Sequence, residues 1–227
     1  MKYSKLVIIG AVLVASLSFT GIARADTVNG AFYYQYLGPY TALGLGSVPT
    51  SISGAPTVNF KVSGATGNVF SFDLPGSGVN GDSNLMGFLT AGGDTVTSLG
   101  SAGGDNINNG VFVFTGDTYL KAGKTYEFTH DDGMMLYLSL NGTSPTITAI
   151  NSPGATSADV SNFSVTTSGD YWFEVVYAEV NGGPAVLTSD IVATPEPSSL
   201  LLLGTGLLGL AFALFRKNKP SGLVLHS

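Results

Sequence analysis

Two neighbouring carboxylates, Asp131 and Asp132, lie between His130 and Gly133. Adjacent side chains of an extended chain point to opposite faces, so both carboxylates can serve one site only where the backbone bends. Carboxylates held close together repel each other, and a hard cation such as Ca²⁺ relieves that repulsion while it accepts oxygen ligands in flexible geometry. These residue types therefore predict a Ca²⁺ site. A solvated turn that merely satisfies Asp and Gly turn geometry is the alternative.

The segments that flank this pair alternate apolar and polar residues, as half-buried strands do. Residues 125–129 and 134–140 show this pattern, and residues 161–167 and 171–178 show it again. Residues 168–170 are predicted to form the hairpin between the latter two strands, and Asn141-Gly142 is predicted to form a turn. No window shows a convincing helical period. Residues 26–193 are therefore predicted to form an all-β domain, an antiparallel sandwich or barrel.

Both ends of the chain are predicted to be targeting segments. Residues 1–25 contain two lysines, an apolar run and the sequence Ala23-Arg24-Ala25, which is typical of a signal peptide cut by signal peptidase. Residues 198–215 carry no charge and end at a basic cluster, which predicts a transmembrane helix within a tail of residues 194–219. Residues 220–227 follow as a short extension.

The composition excludes several classes of protein. The chain has no cysteine, so neither disulfides nor a Cys-ligated zinc site can form. Residues 26–197 hold three lysines and all fifteen acidic residues, a net charge of −12 that excludes nucleic-acid binding and attracts cations. His130 is the one histidine of this span, and no serine has a nucleophile-elbow setting, so we expect no enzyme. A glycoside hydrolase with paired carboxylates is the competing interpretation.

The tail resembles the PEP-CTERM sorting signal of Gram-negative bacteria. The resemblance rests on Pro195-Glu196-Pro197, the short apolar run and Arg216-Lys217. It implies export across the inner membrane, a membrane-held precursor and processing by an exosortase-type enzyme. The implied destination is the cell surface or the extracellular space of bacteria that make exopolysaccharide and biofilm matrix.

The preceding domain resembles the PA-fourteen family, named for a fragment of a toxin's protective antigen. The resemblance rests on residues 31–34, 111–128, 131–138 and 169–187. It implies a β-barrel or sandwich that often binds carbohydrate. In the lectin members, a Ca²⁺ ion is held by the aspartates that correspond to Asp131 and Asp132, joined by a cis peptide.

A second loop of those lectins corresponds to residues 179–183, so the resemblance offers Glu179 and Asn181 as further metal ligands. We assign His130 and Gly133, which flank the pair, to ligand binding. The expected function is an exported surface or matrix module that binds glycan or exopolysaccharide with the help of Ca²⁺. The alternative is a structural matrix protein without a ligand site.

Overall fold

The computed structural model describes residues 27–37, 48–49, 51–64, 68–74, 83–142, 144, 146–154, 157–180, 184–192, 204–211 and 214. By its contacts the chain divides into two units, and Asp26–Thr194 is the unit that contains every strand of the described residues. The described residues of the other unit are helical.

The described residues of Asp26–Thr194 form two antiparallel sheets from eleven strands. The strands are β1 Thr27–Tyr33, β2 Val58–Ser63, β3 Ser71–Leu74, β4 Thr95–Thr97, β5 Gly110–Leu120, β6 Thr125–Asp131, β7 Gly133–Leu140, β8 Ile147–Ser152, β9 Asp159–Ser164, β10 Gly169–Glu179 and β11 Ala185–Ser189. A seven-stranded sheet has the order β4-β2-β1-β5-β10-β7-β8, and a four-stranded sheet has the order β3-β11-β6-β9. The predicted antiparallel β-sandwich is therefore confirmed, as a fold that is mostly β.

The core lies between the two sheets and is built from the apolar residues that alternate along each strand. Phe70 lies at its centre, because its ring contacts Phe114 and Phe173 of the large sheet and Phe128 of the small sheet at centroid distances of 5.3, 5.9 and 5.6 Å. Aromatic rings in such tilted and edge-on arrangements hold two sheets together through large buried areas.

A second apolar cluster lies on the outer face of the seven-stranded sheet. Val111, Val176 and Ala178 are buried there together with Val48 of the long β1–β2 connection. Tyr36 and Ile52 of the same connection pack against this cluster. The connection therefore covers the part of the outer face that lies next to the end of β10.

The strand register defines two opposite ends of the sandwich. The first residue of β5, Gly110, pairs with Glu179 at the end of β10, whereas Leu120 at the other end of β5 pairs with Gly169. The module's last described residue, Val192, accepts a hydrogen bond from the Thr118 hydroxyl at 2.8 Å, so it lies at the Leu120 end. The first strand begins in the half of the sandwich towards that end, because Asn29 pairs with Thr115, midway along β5, and β1 runs from there to Tyr33, which pairs with Val111.

Two expectations about this unit are wrong. A six-residue helix, α1 (Leu85–Thr90), and a 3₁₀ turn (Gly100–Gly104) interrupt the strands; both are too short for a helical period to show in the sequence. Residues 168–170 do not join a hairpin, because β9 pairs with β6 while β10 pairs with β5 and β7. Alternation identified these strands but carries no information about their partners.

The targeting segments fall mostly outside the described residues. The predicted signal peptide, residues 1–25, lies outside them entirely. Within the predicted span 198–215, residues 204–211 and 214 are helical. No helix in the described part of the chain is long and apolar enough to cross a membrane, so the transmembrane span stays a prediction.

Candidate functional site

The carboxylate pair lies where the chain crosses from one sheet to the other. Strand β6 ends at Asp131 in the four-stranded sheet, and β7 begins at Gly133 in the seven-stranded sheet, so Asp132 is the single residue between them. The peptide bond from Asp131 to Asp132 is cis, as the resemblance implies. The pair therefore occupies a sharp corner of the sandwich.

Two other crossings meet this corner. The connection from β10 to β11 passes beside it, because Ala178 pairs with Gly133 and Val186 pairs with Asp131. The connection from β8 to β9 also crosses here, since His130 pairs with Asp159 at the start of β9. Three segments far apart in sequence thus converge on one end of the sandwich, and we call the convergence of residues 130–133 with 177–180 the Asp corner.

Gly133 is required at the corner for steric reasons. A Cβ atom at this position would collide with the backbone carbonyl of Pro153 in the β8–β9 connection. Gly133 is buried, so this close approach of two backbones, rather than an exposed ligand contact, accounts for the glycine.

The two carboxylates are shielded from water. Asp131 is 8% exposed and Asp132 is 4% exposed, so the alternative of a solvated turn is wrong. The Oδ2 atom of Asp132 accepts a hydrogen bond of 2.9 Å from the backbone N–H of Val180. The carboxylate pair is therefore held in place by the segment that leaves β10.

Burial and mutual repulsion raise the pKa of Asp131 from its ordinary value of 3.8 to about 6. Burial is the larger cause, and the charge of Asp132 is the second. His130 and a backbone hydrogen bond from Ala158 lower the pKa and offset part of this shift. At neutral pH the corner thus concentrates negative charge in a place where water screens it poorly.

His130 lies beneath the pair and is fully buried. Its Nδ1 atom donates a hydrogen bond of 2.6 Å to the backbone carbonyl of Asp132, and its Nε2 atom lies 2.9 Å from the Ser161 hydroxyl. Because both ring nitrogens are engaged and no part of the side chain is accessible, a direct ligand contact by His130, as predicted, does not fit this geometry. We assign it a positioning role.

Tyr177, which was not among the predicted site residues, links Glu179 to the corner. Its hydroxyl donates to Glu179 Oε2 at 2.7 Å and contacts the backbone carbonyl of Asp131. Burial, followed by the charge of Glu179, raises the pKa of Tyr177 well above its ordinary value. The ring of Phe88 from α1 stacks on Tyr177 at a centroid distance of 5.7 Å and fixes its position.

The predicted site residues fall into three groups, of which the first is His130 and Gly133, buried on either side of the carboxylate pair. Asp131, Asp132 and Glu179 come together around Tyr177 and Val180. Asn181 lies outside the described residues, as do the sorting-signal residues Pro195, Glu196, Pro197, Arg216 and Lys217. The contribution of Tyr177 could have been inferred, because it lies two residues before Glu179 and so on the same face of the strand.

The donor set at the corner is all oxygen, which is the chemistry that Ca²⁺ takes. No group of three or more His, Cys, Asp or Glu side chains that could hold a metal ion occurs within the described ranges. The described corner thus supplies two adjacent carboxylates, and the predicted ligand Asn181 lies outside the described residues. The residues present fit a Ca²⁺ site in part.

Residues 193–217 match the family model described as the PEP-CTERM protein-sorting motif. The tail is a protein-sorting signal. This confirms the resemblance seen in the sequence, and the motif indicates an exported protein that is sorted to the cell surface. None of the curated proteins matches the chain significantly.

Solved structures that are similar to the chain include two PA14 domains, the family named above as PA-fourteen. One is the PA14 domain of the antifreeze protein MpAFP, at 22% identity, with 76% of this chain and 84% of that chain covered and a TM-score of 0.48. The other is a PA14 sugar-binding domain from an RTX adhesin, at 22% identity, with coverages of 73% and 87% and a TM-score of 0.46.

We expect the raised pKa of Asp131 to make the metal-free protein less stable as pH rises from about 4 to about 6. The unfolded chain loses this proton near the ordinary value of 3.8, whereas the folded protein keeps it to about 6. The folded state therefore binds more protons in this window, and the free energy of unfolding falls as pH rises.

Urea unfolding in EGTA across this pH range measures the effect. Asp131→Asn should remove the contribution of the Asp131 carboxyl to the pH dependence of the free energy of unfolding. It should also stabilise the metal-free protein at neutral pH. Glu174→Gln is the matched control, because burial also raises the pKa of Glu174. Glu174 lies outside the Asp corner, so this variant should leave the contribution of Asp131 to the slope unchanged. Equal slopes in wild type and Asp131→Asn would contradict the prediction.

Tyr177→Phe should lower the free energy of unfolding by about 1–3 kcal/mol, because buried Glu179 loses a hydrogen-bond donor. Tyr171→Phe is the control at the other end of β10, where the lost partner is the neutral carbonyl of Thr167. Denaturant unfolding of both variants measures the difference. A loss at Tyr177 no larger than that at Tyr171 would show that the Glu179 contact contributes little.

Proposed function

We propose that this exported protein is a carbohydrate-binding module whose Asp corner binds glycan with the help of Ca²⁺. The observation that carries the proposal is the burial of two adjacent carboxylates at a sheet crossing, with the pKa of Asp131 raised to about 6. A bound divalent cation would relieve this unfavourable concentration of charge.

Asp131 and Asp132 are the residues that would hold the ion, with Asn181 as the further side-chain donor that the resemblance offers. Ca²⁺ bound here would supply open coordination positions for sugar hydroxyl oxygens. The protein's own contribution is positional: the Val180 N–H orients Asp132, and His130 holds the backbone of the pair from beneath. Glu179 supports the corner through Tyr177.

A binding module, rather than an enzyme, is the activity that we propose. The corner holds its histidine inaccessible and its Asp132 carboxylate hydrogen-bonded to the backbone, which suits a fixed binding site. The alternative function, a structural matrix protein without a ligand site, predicts that neither Ca²⁺ nor glycan changes the protein's behaviour.

Ca²⁺ should raise the melting temperature of the full-length protein, because an ion that binds only the folded state stabilises it by mass action. At a free concentration of ~100 times the Kd, the gain is about 2.7 kcal/mol, or about 5–10 °C for a chain of this size. Asp131→Asn and Asp132→Asn should abolish the shift, and Asp159→Asn on neighbouring β9 is the control that should keep it.

The same proteins on a glycan array test the ligand. Wild type and Asp159→Asn should bind in Ca²⁺ and lose binding in EGTA, whereas the corner variants should not bind in either condition. If Ca²⁺ shifts neither the melting temperature nor the array signal, the structural alternative is favoured and the Ca²⁺ proposal fails.

We further propose that an exosortase-type enzyme processes the sorting motif near Pro195-Glu196-Pro197. In a host that carries such an enzyme, Glu196→Gln should accumulate as a membrane-associated precursor, while wild type reaches the surface in shortened form. Asp190→Asn, an exposed carboxylate just upstream, is the control. Mass spectrometry of surface and membrane fractions reads out the cleavage, and equal processing of both variants would contradict the assignment.

A further inference from the structure

We propose that the outer face of the seven-stranded sheet carries a second binding surface, independent of Ca²⁺, for a neutral polysaccharide chain. The surface goes beyond the Asp corner and uses different residues. Its central feature is a line of three aromatic side chains on three neighbouring strands. They are Tyr137 on β7, Trp172 on β10 and Tyr119 on β5.

Alternation along β10 places these residues on the outer face. Tyr171, Phe173 and Tyr177 point into the core, so Trp172 and Glu174 point outward. Residues directly opposite each other on paired strands share a face, and each aromatic residue of the line has a carboxylate directly opposite. The three pairs are Tyr137 with Glu174, Trp172 with Asp117 and Tyr119 with Asp170. We call these six residues the outer line.

The three pairs repeat along a diagonal of the sheet. Each step moves one strand sideways and two residues along, from Tyr137 to Trp172 and from Trp172 to Tyr119. Diagonal neighbours of this kind lie about 7–8 Å apart, within reach of aromatic side chains. A repeated aromatic and acidic pair suits a ligand that is itself a repeat, such as a chain of linked sugars.

The groups of the outer line are available to a ligand. Tyr119 is 54% exposed, Asp117 and Asp170 are exposed, and the other three residues are partly exposed. Across the part of the chain that the structure describes, none of the three aromatic side chains has a ring or hydrogen-bond partner, and Glu174 has no ion pair. Burial raises the pKa of Glu174, which indicates that its carboxylate is already partly removed from water.

The chemistry of the outer line matches sugars. An aromatic face packs against the apolar face of a sugar ring, and a carboxylate accepts strong hydrogen bonds from hydroxyl groups. Three carboxylates would repel an anionic polysaccharide, and the nearest lysine along these strands, Lys121, lies just beyond β5. The ligand that fits is therefore a neutral chain.

A protein partner fits this surface less well. The centres of protein interfaces are depleted of Asp and Glu, whereas here a carboxylate accompanies each aromatic residue. The neighbouring apolar part of the same face is covered by the β1–β2 connection, and Tyr137 packs against its edge, whereas Trp172 and Tyr119 do not belong to that cluster.

Affinity electrophoresis of the full-length protein tests the proposal. The gels contain a neutral glucan, mannan or galactan, or anionic alginate for comparison, all with excess EGTA. Wild type should be retarded by at least one neutral polysaccharide and not by alginate. Trp172→Ala should weaken the apparent affinity at least about tenfold, as a central aromatic anchor does, and Tyr119→Ala should weaken it by about threefold.

Controls separate this surface from the Asp corner and from misfolding. Tyr34→Ala, an exposed tyrosine off the line at 42% exposure, should bind as wild type does. Asp131→Asn should also bind polysaccharide normally in EGTA. This result therefore does not depend on whether the Asp corner binds Ca²⁺ and glycan. If thermal melting shows that Trp172→Ala is unfolded, Tyr119→Ala still tests the proposal, because Tyr119 is exposed.

Three results would overturn the proposal. The first is no retardation of wild type by any neutral polysaccharide in EGTA. The second is retardation that Trp172→Ala and Tyr119→Ala leave unchanged. The third is a wild-type dimer, seen by light scattering, that Tyr119→Ala dissociates without any effect on polysaccharide, which would assign the face to contacts between copies of this chain.

Discussion

The repulsion between two adjacent carboxylates that are both removed from water is the constraint on which the Asp corner depends. A pair of this kind is unfavourable by itself, because charge is poorly screened where water is excluded. The fold holds it nevertheless, since Asp132 is the one residue available to join β6 of one sheet to β7 of the other. The position of the pair is thus a result of the sandwich topology.

The surrounding groups fix the pair from several directions at once. His130 binds the backbone carbonyl of Asp132 from the core side, and the Val180 N–H binds its carboxylate from the neighbouring crossing. Tyr177 connects the Asp131 carbonyl to Glu179. A network in which buried polar groups satisfy one another in this way is rigid, because loss of any member removes a hydrogen-bond partner from a buried neighbour. Rigid placement of oxygen donors is what a binding site for a small cation requires.

The sequence predicted the local features well because they depend on near neighbours. The alternation around Thr125–Asp131 and Gly133–Leu140 identified both strands, and the Asp pair with Gly133 identified the place where the chain bends between them. It could not predict that β9 pairs with β6 and not with β10, since pairing depends on contacts far apart in the chain. The burial of His130 and the alignment of the outer line also depend on the register between neighbouring strands. The sequence of a single strand does not reveal that register.

The ends of the module have a mechanical consequence. The module's last described residue, Val192, lies beside Thr118 near the far end of β5, which is roughly 25 Å from the Asp corner at the usual rise of a strand, whereas Asn29 of β1 lies beside Thr115, midway along β5. A tether formed by the residues after Val192 would therefore be attached to the sandwich at the end opposite the Asp corner. If the Asp corner holds a ligand, as proposed, a pull between it and such a tether would run along β11, which leads from the corner towards Val192, and would load its hydrogen bonds to β3 and β6 in shear.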